Sequence, residues 1–493
     1  MAGTAALERV IGTPRPTAAR RVAASTGCRI EPRRVIWPSL GLAVVLGALV
    51  AGQPTGAVAL VAGVLLALWV LRDARGFVFS LLAFKPLVDL SWVGPSVEIA
   101  GSTRELNLQG AVAIVSALYL TVHVAFRERP KLTPPVCWLA AFGVVACISL
   151  LLGTHNGDAL RGFARVGSAF PFLVVGHYVF AGPDSTRRFV VAFLGSLTVP
   201  YVLGFLQLLG LLTWGPTTYI GAHEYRRVTG GYIHPLAFYK VLFVTIPLIL
   251  LVWPTARRAR LKAFLALELA LSCIFTAVAI LRMALATAAS QCLMWLGSKR
   301  RYVAATGFAV LLGAVVLSGG FGRSLVQDQI DRLQSPGEGL NYRAGLWMGY
   351  LDYYLAGSPL QQTVGFGYYV DAVGFQSRYY TAGGAPDDTH NDFLRVLVEN
   401  GALGLICYLG FVSSLWIRAR CWERECVGFW RDYALSARIL LVSFMLMSVT
   451  INSTEEVTCF WYLLAVYSPL VLFRPRGEET ARPHDGTLFS LRS

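Results

Sequence analysis

Charge is scarce in this chain. Only 14% of its 493 residues are Asp, Glu, Lys or Arg, whereas a soluble domain carries about 25%. Together with 55% hydrophobic residues and a mean hydropathy of +0.56, this shortage excludes a soluble globular protein. Lysine is almost absent, occurring only at 85, 131, 240, 262 and 299. Arginine therefore carries nearly all of the positive charge, a bias we read as coding composition. No disulfide framework is available either. Cys137, Cys147, Cys273, Cys292, Cys407 and Cys459 fall in apolar runs, where a small buried thiol is ordinary filler. Cys28, Cys421 and Cys426 fall in segments assigned to the cytoplasm, and the longest polar loop has no cysteine. Neither Cys421 nor Cys426 has a neighbouring histidine or second cysteine pair to complete a metal set. Residues 1–35 lack an apolar segment with a cleavage site at signal-peptide distance, so they are expected to form a cytoplasmic basic tail.

What the chain does have is a series of apolar windows of spanning length, about 17–25 residues each. The sequence predicts spans at 36–53, 56–71, 76–94, 108–126, 134–152, 164–181, 189–214, 229–253, 263–281, 283–298, 302–319, 393–416, 433–452 and 458–473. The pairs 36–71 and 263–298 are each readable as a hairpin or one broken helix. The prediction is therefore an all-α polytopic membrane protein of 12–14 spans. Every second turn is basic: Arg72 and Arg75, Arg127 to Lys131, Arg187 and Arg188, Arg257 to Lys262, Lys299 to Arg301, and Arg418 to Arg431. The positive-inside rule puts those turns and both chain ends in the cytoplasm. The net charge of +15 thus marks a membrane topology and not a nucleic-acid partner.

The expected organisation is a basic tail over 1–35, an N-terminal bundle over 36–319 and a large outer loop over 320–392. Membrane helices over 393–473 and a cytoplasmic tail over 474–493 follow. The outer loop is too long to be a mere connector. Its run Asn341–Leu351 has apolar residues at three- and four-residue spacing, which suggests a helix on the membrane surface. Asp387, Asp388 or Thr389 is placed to cap a helix carrying His390, Asn391, Asp392 and Glu399. An ionisable group at the mouth of a span is costly to bury, so its presence calls for a function.

The outer face also gathers arginines, against the topology rule. Arg226 and Arg227 precede His234-Pro235, Arg282 interrupts an apolar run, and Arg343 lies in the surface helix. A guanidinium stays charged and grips phosphate oxygens through a planar fork. Several of them beside a histidine suit a pyrophosphate headgroup whose departing charge must be neutralised. Each also has a bland reading: Arg226, Arg227 and Arg343 as lipid contacts, His234 and His390 as helix-start residues. Glu399 either orients His390 or pairs with Arg395 four residues before it.

In chain order these pieces resemble the O-antigen ligase and O-antigen polymerase superfamily of bacterial inner-membrane glycosyltransferases. The matching elements are Arg227-Val-Thr-Gly230 with His234-Pro235, Leu281-Arg282, and Arg343 with Trp347, Pro359 and Gly365-Phe-Gly367. His390-Asn391 with Glu399, Gly401 and Gly404 completes them. Leu281 stands where the family has serine, and Leu236 where asparagine commonly follows the proline. The resemblance implies metal-independent transfer, with inversion, of a glycan from an undecaprenyl-pyrophosphate carrier to an acceptor hydroxyl, on the periplasmic side. The acceptor is another carrier-linked glycan in a polymerase, the favoured reading, or a lipid A core in a ligase. His390 with Glu399 would then be catalytic, and Arg227, Arg282, Arg343, His234 and Asn391 would bind substrate; no cofactor is implied. The rival readings are a transporter of an anionic solute and a non-catalytic subunit of a polysaccharide export system.

Overall fold

The computed structural model describes residues 73–298, 340–368 and 391–473. Short breaks fall at 91–95, 99–104, 129, 154–156, 213–216, 221–222, 227, 233–234, 279–281 and 450–456. The predicted spans 36–53, 56–71 and 302–319, both tails, and the loop parts 320–339 and 369–390 lie outside the described residues.

The fold is all-α. Its helices are α1 Ala74–Val88, α2 Leu108–His123, α3 Pro134–Leu152, α4 Gly157–Gly167, α5 Phe172–Val175, α6 Pro183–Leu208 and α7 Pro235–Val252. They continue as α8 Ala259–Val278, α9 Arg282–Ser298, α10 Leu340–Leu355, α11 Pro359–Val364, α12 Asp392–Glu425, α13 Phe429–Ser448 and α14 Val457–Leu472. Four stretches among the described residues are long and apolar enough to cross a membrane: Pro134–Leu152, Pro183–Leu208, Leu236–Thr255 and Asp392–Glu425. Their outer surfaces are greasy, with Val144, Leu151, Val202, Ile406 and Ile417 exposed. A bilayer is the solvent that makes such a surface stable, and helices keep every backbone polar group satisfied inside it.

Two segments between predicted spans contain short antiparallel hairpins. Strands β1 Ser96–Glu98 and β2 Glu105–Asn107 pair Val97 with Leu106. Strands β3 Thr217–Ile220 and β4 His223–Arg226 pair Thr218 with Tyr225. The Thr, Tyr, Val and Ile content of these strands favours extended backbone.

Two other expectations are corrected. The predicted span 76–94 ends at Val88 as α1. Within it Pro86 donates no N–H, and the Leu82 carbonyl four residues earlier instead accepts from the Tyr462 hydroxyl at 2.5 Å. The predicted span 164–181 is broken into the end of α4, turns and the short α5. The pair expected at 263–281 and 283–298 is present as two helices, α8 and α9.

The core runs around α14, which is buried along its length from Thr458 to Val471. Trp461 stacks on Phe172 at 4.6 Å and its indole N–H donates to Ser168 at 3.0 Å. The Tyr433 hydroxyl donates to the Val466 carbonyl, and Ser468 to that of Val174. Helices from the two expected membrane parts therefore share a single core.

Ends that the basic turns assign to one side also meet in space. On the basic side the Arg75 guanidinium lies over the Tyr178 ring, and His123 and Glu128 bond the Tyr178 hydroxyl. On the opposite side Ser149 near the end of α3 meets the head of α12, and Gln207 of α6 meets Thr229.

Candidate functional site at the head of α12

The helix after the large loop begins at Asp392, and its cap is Asn391. The Asn391 side-chain oxygen accepts from the N–H groups of Phe393 at 3.0 Å and Leu394 at 3.2 Å. The capping role expected of Asp387, Asp388 or Thr389 thus falls to Asn391, whose short amide reaches the first free N–H groups of the helix. The described helix thus starts two residues after His390 in the sequence.

Two turns on, Glu399 is tied to Arg395. Its Oε1 accepts from Nε at 3.0 Å and Nη2 at 2.9 Å, and both side chains are buried. Of the two readings open for Glu399, the described contacts display the pairing with Arg395.

At Gly401 the helix breaks, with φ 68° and ψ −176°, a backbone shape that is nearly exclusive to glycine. The span expected as one continuous helix over 393–416 is therefore two pieces inside α12. The break has a partner. The Val398 carbonyl accepts from Phe366 N–H at 2.9 Å, and the Glu399 carbonyl from Gly367 N–H at 3.2 Å and from the Ser149 hydroxyl. Gly367 N–H also reaches Ser149 Oγ at 3.1 Å. On the other side of the break, the Tyr354 hydroxyl donates to the Gln362 carbonyl at 2.7 Å and bonds the Ala402 backbone. The Gly365-Phe366-Gly367 turn is thus a brace for the interrupted helix.

Around this brace α10, α11 and the head of α12 form a small core of Leu346, Tyr350, Phe366 and Val398, with Tyr353, Tyr354 and Leu394 packed on it. The helix expected to lie on the membrane surface buries Leu346 and Tyr350 against protein in this way. Tyr368 completes the wall: burial raises its phenol well above the ordinary value, and the nearby Glu399 carboxylate adds to the shift.

A second element, the stretch before α7, packs against α6 and α1. Residues 228–232 are buried between Gln207, Leu203, Pro86, Leu90 and Phe238. They join Arg226, the last residue of β4, to Pro235, the first of α7.

His390, Arg227 and His234 lie outside the described residues. The backbone of Arg282 opens α9 and that of Arg343 lies in the first turn of α10; their side chains are not among the described ones. Sequence reasoning missed Ser149 and Gln207. Their one available signal was a lone polar residue near the C-terminal end of a largely apolar helix. Among the described residues no group of three or more His, Cys, Asp or Glu gathers as a metal set.

Fold and surface together define a multi-pass helical membrane protein. Residues 269–409 match the O-antigen ligase family. The match covers less than a third of the chain, and over that stretch the chain is similar to the ligase and polymerase superfamily of membrane glycosyltransferases. No curated protein matches the chain by sequence.

Proposed function

We propose that the chain transfers a glycan from an undecaprenyl-pyrophosphate carrier to an acceptor sugar hydroxyl at the periplasmic face of the bacterial inner membrane. The observation that carries this reading is the braced head of α12. It lies within the family-matched stretch and packs the helix bearing Arg343 against the helix that follows His390. Arg343 stands three residues before Leu346, one turn along the stripe that meets Phe366 and Val398.

In this mechanism His390 takes the proton of the acceptor hydroxyl as its oxygen attacks the anomeric carbon. The bond from that carbon to the pyrophosphate oxygen breaks, and the carrier pyrophosphate leaves from the opposite face, so the configuration inverts. Arg227, Arg282 and Arg343 hold the pyrophosphate before reaction and neutralise the charge that grows on it. Arg282 at the start of α9 suits that role, because a helix N-terminus also favours an anion. Asn391, next to His390 in the sequence, would contact the substrate while capping α12, and His234 would contact the donor beside Arg227. Protein residues perform every step, so the reaction needs no metal.

The acceptor is a second carrier-linked glycan in a polymerase and a lipid A core in a ligase. The departures at Leu236 and Leu281 favour the polymerase.

The test is reconstitution of the purified protein with a carrier-linked oligosaccharide and each acceptor in turn. Chain growth supports a polymerase and transfer to lipid A core a ligase. Solute uptake into liposomes without any transfer would instead reveal a transporter, and neither activity would point to a non-catalytic subunit.

A further inference from the structure

Gln207 is the penultimate residue of α6, an otherwise apolar helix at this end. Its side chain bonds one short stretch of a different segment three times. Oε1 accepts from the N–H groups of Thr229 at 3.0 Å and Gly230 at 2.9 Å, and Nε2 donates to the Thr229 hydroxyl at 2.9 Å. Thr229 is wholly buried.

The stretch needs such a partner. Gly230 and Gly231 both have left-handed backbone, φ 58° and 86°. Two left-handed residues in succession reverse the chain sharply, and a regular ladder then leaves N–H groups unserved. A side chain on Gly230 would press on the Phe238 ring at 2.9 Å, and one on Gly231 on Leu203 at 2.5 Å. The far end of the turn is pinned as well, because the Tyr232 hydroxyl donates to the Pro86 carbonyl at 2.9 Å.

This turn lies between Arg226–Arg227 on one side and His234-Pro235 on the other. Tyr232 anchors its exit, and Gln207 anchors the entry, two residues after Arg227. We propose that Gln207 is a positioning residue for Arg227: its amide fixes the turn that begins directly after Arg227 in the sequence, and donor binding by Arg227 depends on that turn being held. The proposal rests on Arg227 binding the donor, as in the function proposed above.

The experiment is a double-mutant cycle on the full chain in nanodiscs, with undecaprenyl pyrophosphate as the binding probe. Gln207→Leu removes all three bonds at similar volume, and Thr229→Val removes only the hydroxyl bond. Hydrogen exchange of residues 228–232 should rise in Gln207→Leu while α7 and α13 keep their protection. Probe affinity should fall about tenfold with Gln207→Leu, as for the loss of one to two kcal/mol of bonding, and by less with Thr229→Val. The double variant Gln207→Leu/Arg227→Ala should bind no worse than Arg227→Ala alone, because the two act through one contact.

Multiplying effects in the double variant, or unchanged affinity in Gln207→Leu beside a weakened Arg227→Ala, overturns the positioning role. Unchanged affinity in Arg227→Ala overturns the donor-binding reading itself, and the positioning role with it. Should Gln207→Leu fail to fold, Thr229→Val takes its place in the same cycle, and unchanged exchange and affinity there count against the proposal.

Discussion

Gly365 and Gly401 interlock backbone against backbone. A side chain on Gly365 would land on the Glu399 carbonyl, and one on Gly401 on the carbonyl of Thr363. Both have positive φ, 95° and 68°. Each therefore meets two demands that alanine fails: the backbone shape and the missing volume. Gly428 isolates the first of these, since its φ is 61° but open space surrounds its Cβ position.

Gly428→Ala should accordingly cost only the strain, about 1–2 kcal/mol. Gly401→Ala adds the overlap, for a total of roughly 2–6 kcal/mol. Thermal unfolding in detergent should show a clearly larger loss of Tm for Gly401→Ala and Gly365→Ala than for Gly428→Ala. Equal losses at all three positions would remove the brace from the account.

The Arg395–Glu399 pair yields a prediction that separates structure from chemistry. Both partners are buried, at 3% and 4% exposure, so removing one strands the other. Glu399→Gln should destabilise by about 3–5 kcal/mol, whereas replacing both by apolar residues of similar size should recover much of that. Transfer activity in the recovered double variant is the informative readout. Restored activity assigns Glu399 a purely structural role, and lost activity at restored Tm assigns it to the orientation of His390.

Much of the fold is legible because a bilayer imposes a simple rule on sequence. Pro134–Leu152 begins with two prolines and ends before Gly153, and the expected and observed bounds coincide. Long apolar runs and basic turns also sort the helix ends into two groups that meet in space. What sequence periodicity misses is the interruption of α12. Gly401 stands in an apolar run that reads as continuous helix, and its break is stabilised by Phe366, Gly367 and Ser149 from distant segments. The same limit hides Gln207, whose partners lie more than twenty residues away. The Arg395–Glu399 contact was legible as an i,i+4 option, but its burial depends on tertiary packing.

The base assignment predicts a separation of chemistry from binding at His390. His390→Ala should lower transfer by on the order of 10² to 10⁴ while donor affinity and Tm stay near wild type. Wild-type single-turnover rates in His390→Ala would transfer the role to Asp388, Asp392 or Glu399.

Arg282 should behave differently, because it is assigned a contact that exists before the transition state. Its backbone opens α9, between two apolar runs, where an unpaired guanidinium would be expensive to keep. Arg282→Ala should weaken donor binding and slow transfer together, since ground-state and transition-state contacts are both removed. Arg282→Lys should restore part of the affinity and less of the rate, because an ammonium supplies charge without the planar fork. The measurement is donor affinity alongside single-turnover rate for the three proteins, repeated with a chelator present. Donor affinity unchanged in Arg282→Ala would remove this arginine from the pyrophosphate site, and activity abolished by the chelator would contradict the metal-independent mechanism.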